Sequence, residues 1–145
     1  MCGGTVKGSV VGFIGAGRIG SSIMKRLKGF EPAQILYNAR HRSELIEEHG
    51  ARFTTLQDLL TISDIVVVCC SLNASTKHLL GSEQFRLMKS TAILINTSRG
   101  AVVDQRALYD ALKEKVIFAA GLDVMEVEPM PLNDPLLELD NVGEL

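Results

Sequence analysis

Residues 15–20 read Gly-Ala-Gly-Arg-Ile-Gly, and the segments on either side of these glycines constrain the fold more than any other feature of the chain. Ser9–Ile14 is a short apolar run rich in β-branched residues, which reads as a strand. Ile19–Lys28 puts Ile19, Ile23, Met24 and Leu27 on one face of a helix, because residues three and four apart share a face. Gln34–Tyr37 returns to a strand. A glycine turn that joins a strand directly to a helix, followed by a second strand, is one β-α-β unit, and such a unit builds a parallel sheet.

The alternation continues. Ser43–Glu48 reads as helix, Arg52–Thr54 as a weak third strand, Leu56–Ile62 as a short helix and Ile65–Cys70 as a fourth strand, apolar throughout. A loop at Ser71–Thr76 leads to a helix at Ser82–Met88 and a fifth strand at Ala92–Asn96. Next come a helix at Asp104–Glu114, with Asp104 as N-cap, and a sixth strand at Ile117–Asp123. From Met125 the periodicity fades among Pro129, Pro131 and Pro135, so a surface loop with one turn at Leu136–Leu139 is expected. The fold class is therefore α/β, a Rossmann-type doubly wound parallel sheet of six strands. Its 145 residues make one domain, 1–145.

Composition narrows the partners. Hydrophobic residues are 46% of the chain, an excess that must either line strands buried on both faces or contact something absent from the chain. The longest apolar run, Ile65–Cys70, is far too short to cross a bilayer. A net charge of −2 leaves no basic face for nucleic acid or an anionic membrane. The three cysteines, Cys2 and the adjacent Cys69 and Cys70, show neither a disulfide framework nor C-x-x-C spacing, and no metal site is expected. The start of the chain has one lysine and an apolar stretch broken by Gly12 and Gly15, unlike a secretory signal. Cys2 stands where myristoylation requires glycine, so the expected compartment is the cytosol.

The glycine turn has a ligand chemistry. Gly15, Gly17 and Gly20 allow a tight turn, a close approach of a pyrophosphate to the backbone, and close helix–strand packing, while N–H groups at the helix start hold the anion. A glycine-rich turn without ligand is the alternative. At the end of the second strand, where a carboxylate would bind the 2′-hydroxyl of NAD, stands Asn38, followed by Arg40, His41 and Arg42. Such a cluster suits a 2′-phosphate. The expected coenzyme is NADP(H), with NAD(H) as the alternative. The plainer reading, solvated charges at a helix start, sets the cluster against the helix dipole.

The fifth strand runs into Asn96-Thr97-Ser98-Arg99-Gly100-Ala101-Val102-Val103-Asp104, and the sixth ends in Ala120-Gly121-Leu122-Asp123-Val124, then Glu126-Val127-Glu128-Pro129. This combination resembles the D-isomer-specific 2-hydroxyacid dehydrogenases, over Ser9 to Val142. Cys70-Ser71-Leu72-Asn73 with Thr76, Tyr37-Asn38-Ala39-Arg40 and Glu128-Pro129-Met130-Pro131 resemble most the glyoxylate/hydroxypyruvate reductase branch. The resemblance implies that Arg99 clamps the carboxylate of a small 2-keto or 2-hydroxy acid. It implies that Glu128 hydrogen-bonds a catalytic histidine, and that Asp123 lies beside the nicotinamide amide. Arg18 and Ile19 would touch the pyrophosphate and its ribose, and Ser71 and Thr97 would line the cleft. Read alone, Arg99, Glu128 and Asp123 would be a surface ion pair, a solvated carboxylate and a strand-end cap.

The family's histidine follows in a Pro-His pair a few residues past a position matched by Asn141-Val142, at the end of one more strand. His41, His49 and His78 match no such position. The resemblance therefore implies a chain that stops before its last strand and its proton donor, with residues 1–8 and 143–145 atypical, the substrate domain absent, and no turnover alone. Gly143-Glu144-Leu145 can be written GGT GAG TTN, which contains a splice-donor sequence, so one expectation is a message that continues. The complete protein is expected to be a homodimer that reduces glyoxylate or hydroxypyruvate. A non-catalytic NAD(P)-binding module, or a relative of the family's corepressors, is the alternative. A β-hydroxyacid dehydrogenase of the 6-phosphogluconate type fits the glycine turn but not residues 96–104 and 121–124.

Overall fold

The computed structural model describes residues 5–144. Its strands are β1 (Val10–Ile14), β2 (Gln34–Asn38), β3 (Ala51–Phe53), β4 (Ile65–Val68), β5 (Ile93–Asn96), β6 (Ala119–Leu122) and β7 (Val142–Glu144). They form one sheet in the order β3-β2-β1-β4-β5-β6-β7, every pair parallel. The helices are α1 (Arg18–Leu27), α2 (Glu44–Glu47), α3 (Leu56–Ile62), α4 (Ser82–Leu87) and α5 (Gln105–Lys113), with 3-10 turns at Lys28–Phe30, Gly100–Val102 and Pro135–Glu138.

Strand alternation explains the apolar content. In β1, Val11 and Phe13 pack on one side with Met24 of α1 and Ile46 of α2. Ile14 packs on the other side with Leu59 and Leu60 of α3, Phe85 of α4 and Leu108 of α5. Val66 and Val68 share that second side while Val67 faces the first. Both faces of the central strands are thus buried, as parallel sheets require. Local signals set the helix starts: Thr55 accepts the Asp58 N–H at 3.1 Å, and Asp104 accepts the Ala107 N–H at 3.0 Å. Asp64, at the start of β4, ties β1 to the sheet by accepting the Val10 N–H at 2.8 Å and the Lys89 ammonium at 2.8 Å.

One expectation is corrected. The sequence predicts six strands and a sheet without its last, but Val142–Glu144 pairs with β6 as a seventh, Ala120 opposite Val142 and Leu122 opposite Glu144. Three residues are too few for an alternation to show. Their register is set from outside the strand, where the Asn141 amide donates to Leu112 O and Phe118 O, each at 3.1 Å. Cys69 and Cys70, read as the end of the fourth strand, lie just beyond it. The remaining elements fall within about two residues of expectation, an ordinary margin for element ends. The readings made on Met1–Gly4, Cys2 included, and on Leu145 lie outside the described residues.

The strand order reverses between β1 and β4. From β1 the chain winds outward through β2 and β3, then returns to β4 and winds the other way to β7. Connections leaving neighbouring strands in opposite directions open a crevice at the carboxyl ends of those strands, where open α/β sheets bind ligands.

Candidate functional site

That crevice is built first by Gly15. It has φ +102°, a backbone that L side chains rarely adopt, and a Cβ there would lie 2.6 Å from Cys70 N and 2.7 Å from Cys70 Cα. Only glycine lets the end of β1 lie against the end of β4. The Gly15 N–H donates to Asn38 O at 2.8 Å, joining the turn to β2. A Cβ on Gly20 would come within 3.0 Å of Gly15 O, the close packing the third glycine permits. Gly17 differs: a Cβ there would meet nothing within 4 Å, so this glycine borders open space. It is also the N-cap of α1, with no side-chain cap and no acidic residue in the first turn. The helix start is left with bare N–H groups and a favourable potential for an anion.

A cavity of about 470 Å³ runs from this turn between the ends of β1, β2 and β4, lined among others by Gly17, Asn38, Arg40, His41 and Ser71. A second, of about 320 Å³, lies beyond α1 and is lined by Ile19, Thr97, Ser98 and Arg99. The two share Cys69, Cys70 and Ser71. Burial pushes both thiols up from their ordinary pKa, so they are neutral, weakly nucleophilic walls. The Thr97 hydroxyl is buried with no hydrogen-bonded partner among the described residues, its neighbour being the Cys69 thiol.

Of the expected site residues, the structure brings Gly15, Gly17, Ile19, Arg40, His41, Ser71, Thr97 and Arg99 to these two cavities, with Gly20 packed beneath the turn. Arg18 instead lines a shallow depression with Ser22 and Arg26 on the outside of α1. Arg42 is engaged by Glu47, its Nε and Nη2 donating to the two carboxylate oxygens at 3.0 and 2.9 Å. Asp123 is exposed, its N–H donating to Asn96 O at 3.0 Å. Glu128 is exposed, accepts the Met125 N–H at 3.0 Å and lines neither cavity. Asn38 spends its amide on Thr54 O at 2.9 Å, tying β2 to the end of β3.

Three features escaped sequence reasoning. Asn96, 1% exposed at the end of β5, accepts the Ser98 N–H at 3.1 Å and hydroxyl at 2.9 Å and donates to Arg99 O at 3.2 Å, shaping the turn that presents Arg99. An Asn two residues before a Ser at a strand end was its signal. Gly100 has the backbone of Met125 directly against it, at 1.9 Å from where a Cβ would stand, which sets the loop after β6 beside the Arg99 turn. Glu126 clasps that loop: it meets His78 Nε2 at 2.7 Å, and its N–H donates to Gln105 Oε1 at 2.9 Å. His78 lies 48 residues away from it, and no local pattern pairs them.

A parallel sheet that reverses at a glycine turn, with bare helix N–H groups at the reversal and a two-part cleft across it, defines a dinucleotide-binding domain. The match to known families is more specific. The model described as "D-isomer specific 2-hydroxyacid dehydrogenase, NAD binding domain" matches residues 1–143. The chain belongs to that family, and its coenzyme is a nicotinamide dinucleotide. It is 49% identical over 142 residues to the glyoxylate reductase of Korarchaeum cryptofilum, covering 98% of this chain and 43% of the relative. It is 47% identical over 142 residues to the glyoxylate reductase/hydroxypyruvate reductase of Homo sapiens, covering 97% and 43%. The crystal structure of a glyoxylate reductase from Paecilomyes thermophila superposes with a TM-score of 0.92 at 33% identity, over 100% of this chain and 44% of that one. The chain thus spans less than half the length of these relatives, which are named as glyoxylate or hydroxypyruvate reductases. No helix among the described residues is long and apolar enough to cross a membrane.

Proposed function

We propose that this chain is the coenzyme-binding part of a cytosolic, NADPH-linked reductase of glyoxylate or hydroxypyruvate. The observation that carries the coenzyme choice is the corner of the larger cavity beyond β2. Asn38 occupies the place of a ribose-binding carboxylate with its amide already spent, and Arg40 and His41 line the cavity beside it. Neither has an ion-pair partner among the described residues. An unpaired guanidinium matches a 2′-phosphate by a charge-assisted, two-pronged contact. The N–H groups of Arg18 and Ile19, at the open edge of Gly17, would take the pyrophosphate, and Thr97 and Asp123 would border the nicotinamide. The keto acid is supported by the names of the relatives and by Arg99 on the second cavity, next to Thr97.

Within that reading, each residue has a bounded task. Bound coenzyme supplies hydride to the keto carbon. The Arg99 fork would hold the substrate carboxylate and turn its carbonyl toward the cofactor cleft. Glu128 would hold a histidine that returns a proton to the carbonyl oxygen. None of His41, His49 and His78 lines the Arg99 cavity, so this stretch alone is expected to bind coenzyme without turnover.

The test is fluorescence titration with NADPH and NADH, hydroxypyruvate turnover assayed alongside. NADPH binding at least about tenfold tighter than NADH, with Arg40→Ala removing the preference, is the expected result for one charge-assisted pair lost. Equal affinities that Arg40→Ala leaves unchanged would refute the coenzyme choice, and turnover at ordinary enzyme rates would refute the assignment of the proton donor.

A further inference from the structure

We propose that Tyr37 and Glu47 are positioning residues for coenzyme choice, acting through Arg42 and the backbone of Ser43, and that Arg42 does not itself touch the coenzyme. The inference rests on the reading that Arg40 meets a 2′-phosphate.

Tyr37 is 0% exposed, yet its hydroxyl is fully used. It accepts the Ser43 N–H at 2.9 Å and donates to Glu47 Oε1 at 2.7 Å. A phenylalanine would fill the same volume, so packing alone does not account for the oxygen. The Glu47 carboxylate that receives the Tyr37 proton also receives both prongs of Arg42. The Arg42 guanidinium lies 5.8 Å from the centre of the Phe53 ring, and that ring meets Tyr37 edge-on at 5.4 Å. These contacts surround residues 38–43 from below.

The turn is consequently fixed at both ends. Asn38 is held by Gly15 and Thr54, and Ser43 by Tyr37. Between them, Arg40 and His41 are left facing the cavity. Two arginines two residues apart are equivalent in sequence as phosphate ligands, but their surroundings separate them. Arg42 has its planar fork matched by a carboxylate and its charge balanced, while Arg40 has neither. The motif that reads as three basic residues in sequence is one reader with a neighbour at His41 and one brace at Arg42.

The measurement is the NADPH-to-NADH affinity ratio of this chain and of Tyr37→Phe, Arg42→Ala, the Tyr37→Phe/Arg42→Ala pair and Arg40→Ala. A merely structural role would weaken both coenzymes alike. The positioning role predicts that Tyr37→Phe and Arg42→Ala each weaken NADPH by about fivefold, the effect of roughly one hydrogen bond, with NADH held within about twofold. It also predicts that the double variant loses no more than about either single one, because both act through one turn. Arg42→Ala as damaging as Arg40→Ala and additive with Tyr37→Phe would show direct contact and overturn the proposal. So would a Tyr37→Phe ratio equal to that of the unmutated chain. If Arg40→Ala abolishes the preference while Tyr37→Phe changes nothing, only this inference fails. If the unmutated chain shows no preference or binds neither coenzyme, the reading beneath it fails as well.

Discussion

Gly100→Ala perturbs a single contact whose size can be worked out. The added methyl would stand 1.9 Å from the carbonyl carbon and oxygen of Met125 and 2.3 Å from Glu126 N, while ordinary contact begins near 3.4 Å. These are backbone atoms, so no side-chain rotation relieves the clash, and the loop must retreat by about 1.5 Å, the difference between 3.4 and 1.9 Å. A shift of that size stretches the 2.9 Å bond from Glu126 N–H to Gln105 and the 2.7 Å contact with His78 beyond hydrogen-bonding distance. Overpacking costs about 1–3 kcal/mol and each lost bond about 1 kcal/mol. Allowing for partial relaxation, we expect a loss of roughly 2–4 kcal/mol, or a Tm lower by about 10 °C for a domain of this size. The assay is thermal denaturation followed by circular dichroism, with Gly17→Ala as the matched control. That substitution adds the same methyl where nothing lies within 4 Å, so its Tm should fall by no more than the roughly 3 °C that an alanine costs at the N-cap of α1, while NADPH binding weakens. A Gly100→Ala protein melting within about 2 °C of the unmutated chain would refute the close-packing argument.

Other outcomes follow from single contacts. The Lys89 ammonium and the Val10 N–H hold the Asp64 carboxyl below its usual range, so the ionised form favours the folded chain. Its contribution is full above the unfolded carboxyl value of about 3.9 and is lost as pH falls through the lower folded value. Urea unfolding of Asp64→Asn against the unmutated chain should therefore differ at pH 7 and converge under acid; a difference that persists there would contradict the assignment. Asp104→Ala removes the acceptor for the Ala107 N–H and should cost about 1 kcal/mol in urea unfolding. No change would mean that another group caps α5.

Sequence reveals what neighbours in the chain decide, and this protein shows the boundary. The glycine turn, the alternating strands and the Asp104 cap are local patterns, and each was legible. Arg40 was legible as a cation after β2, but the division of labour between it and Arg42 was not, because it depends on Glu47 and on a hydroxyl buried under the sheet. Gly100 stands in the sequence only as part of the 96–104 motif, and no local pattern announces that the backbone of Met125 comes to rest on it from another crossover. The seventh strand was missed because three residues carry no period and their register comes from the side chain of Asn141. Arg99 and Glu128 were singled out by likeness to a family. The structure presents Arg99 to a cavity and leaves Glu128 on the loop that Glu126 and His78 hold.

On the proposed reading a dinucleotide lies across the reversal between β1 and β4. The most direct measurement is the ¹⁵N–¹H spectrum of the labelled chain titrated with NADPH. The amide signals of Gly15 to Gly20, Asn38 to Ser43, Cys69 to Ser71 and Thr97 should shift together along one binding curve, while those of α5 and of residues 130–139 stay in place. Shifts confined to the 126–136 surface, or none at millimolar NADPH, would contradict it.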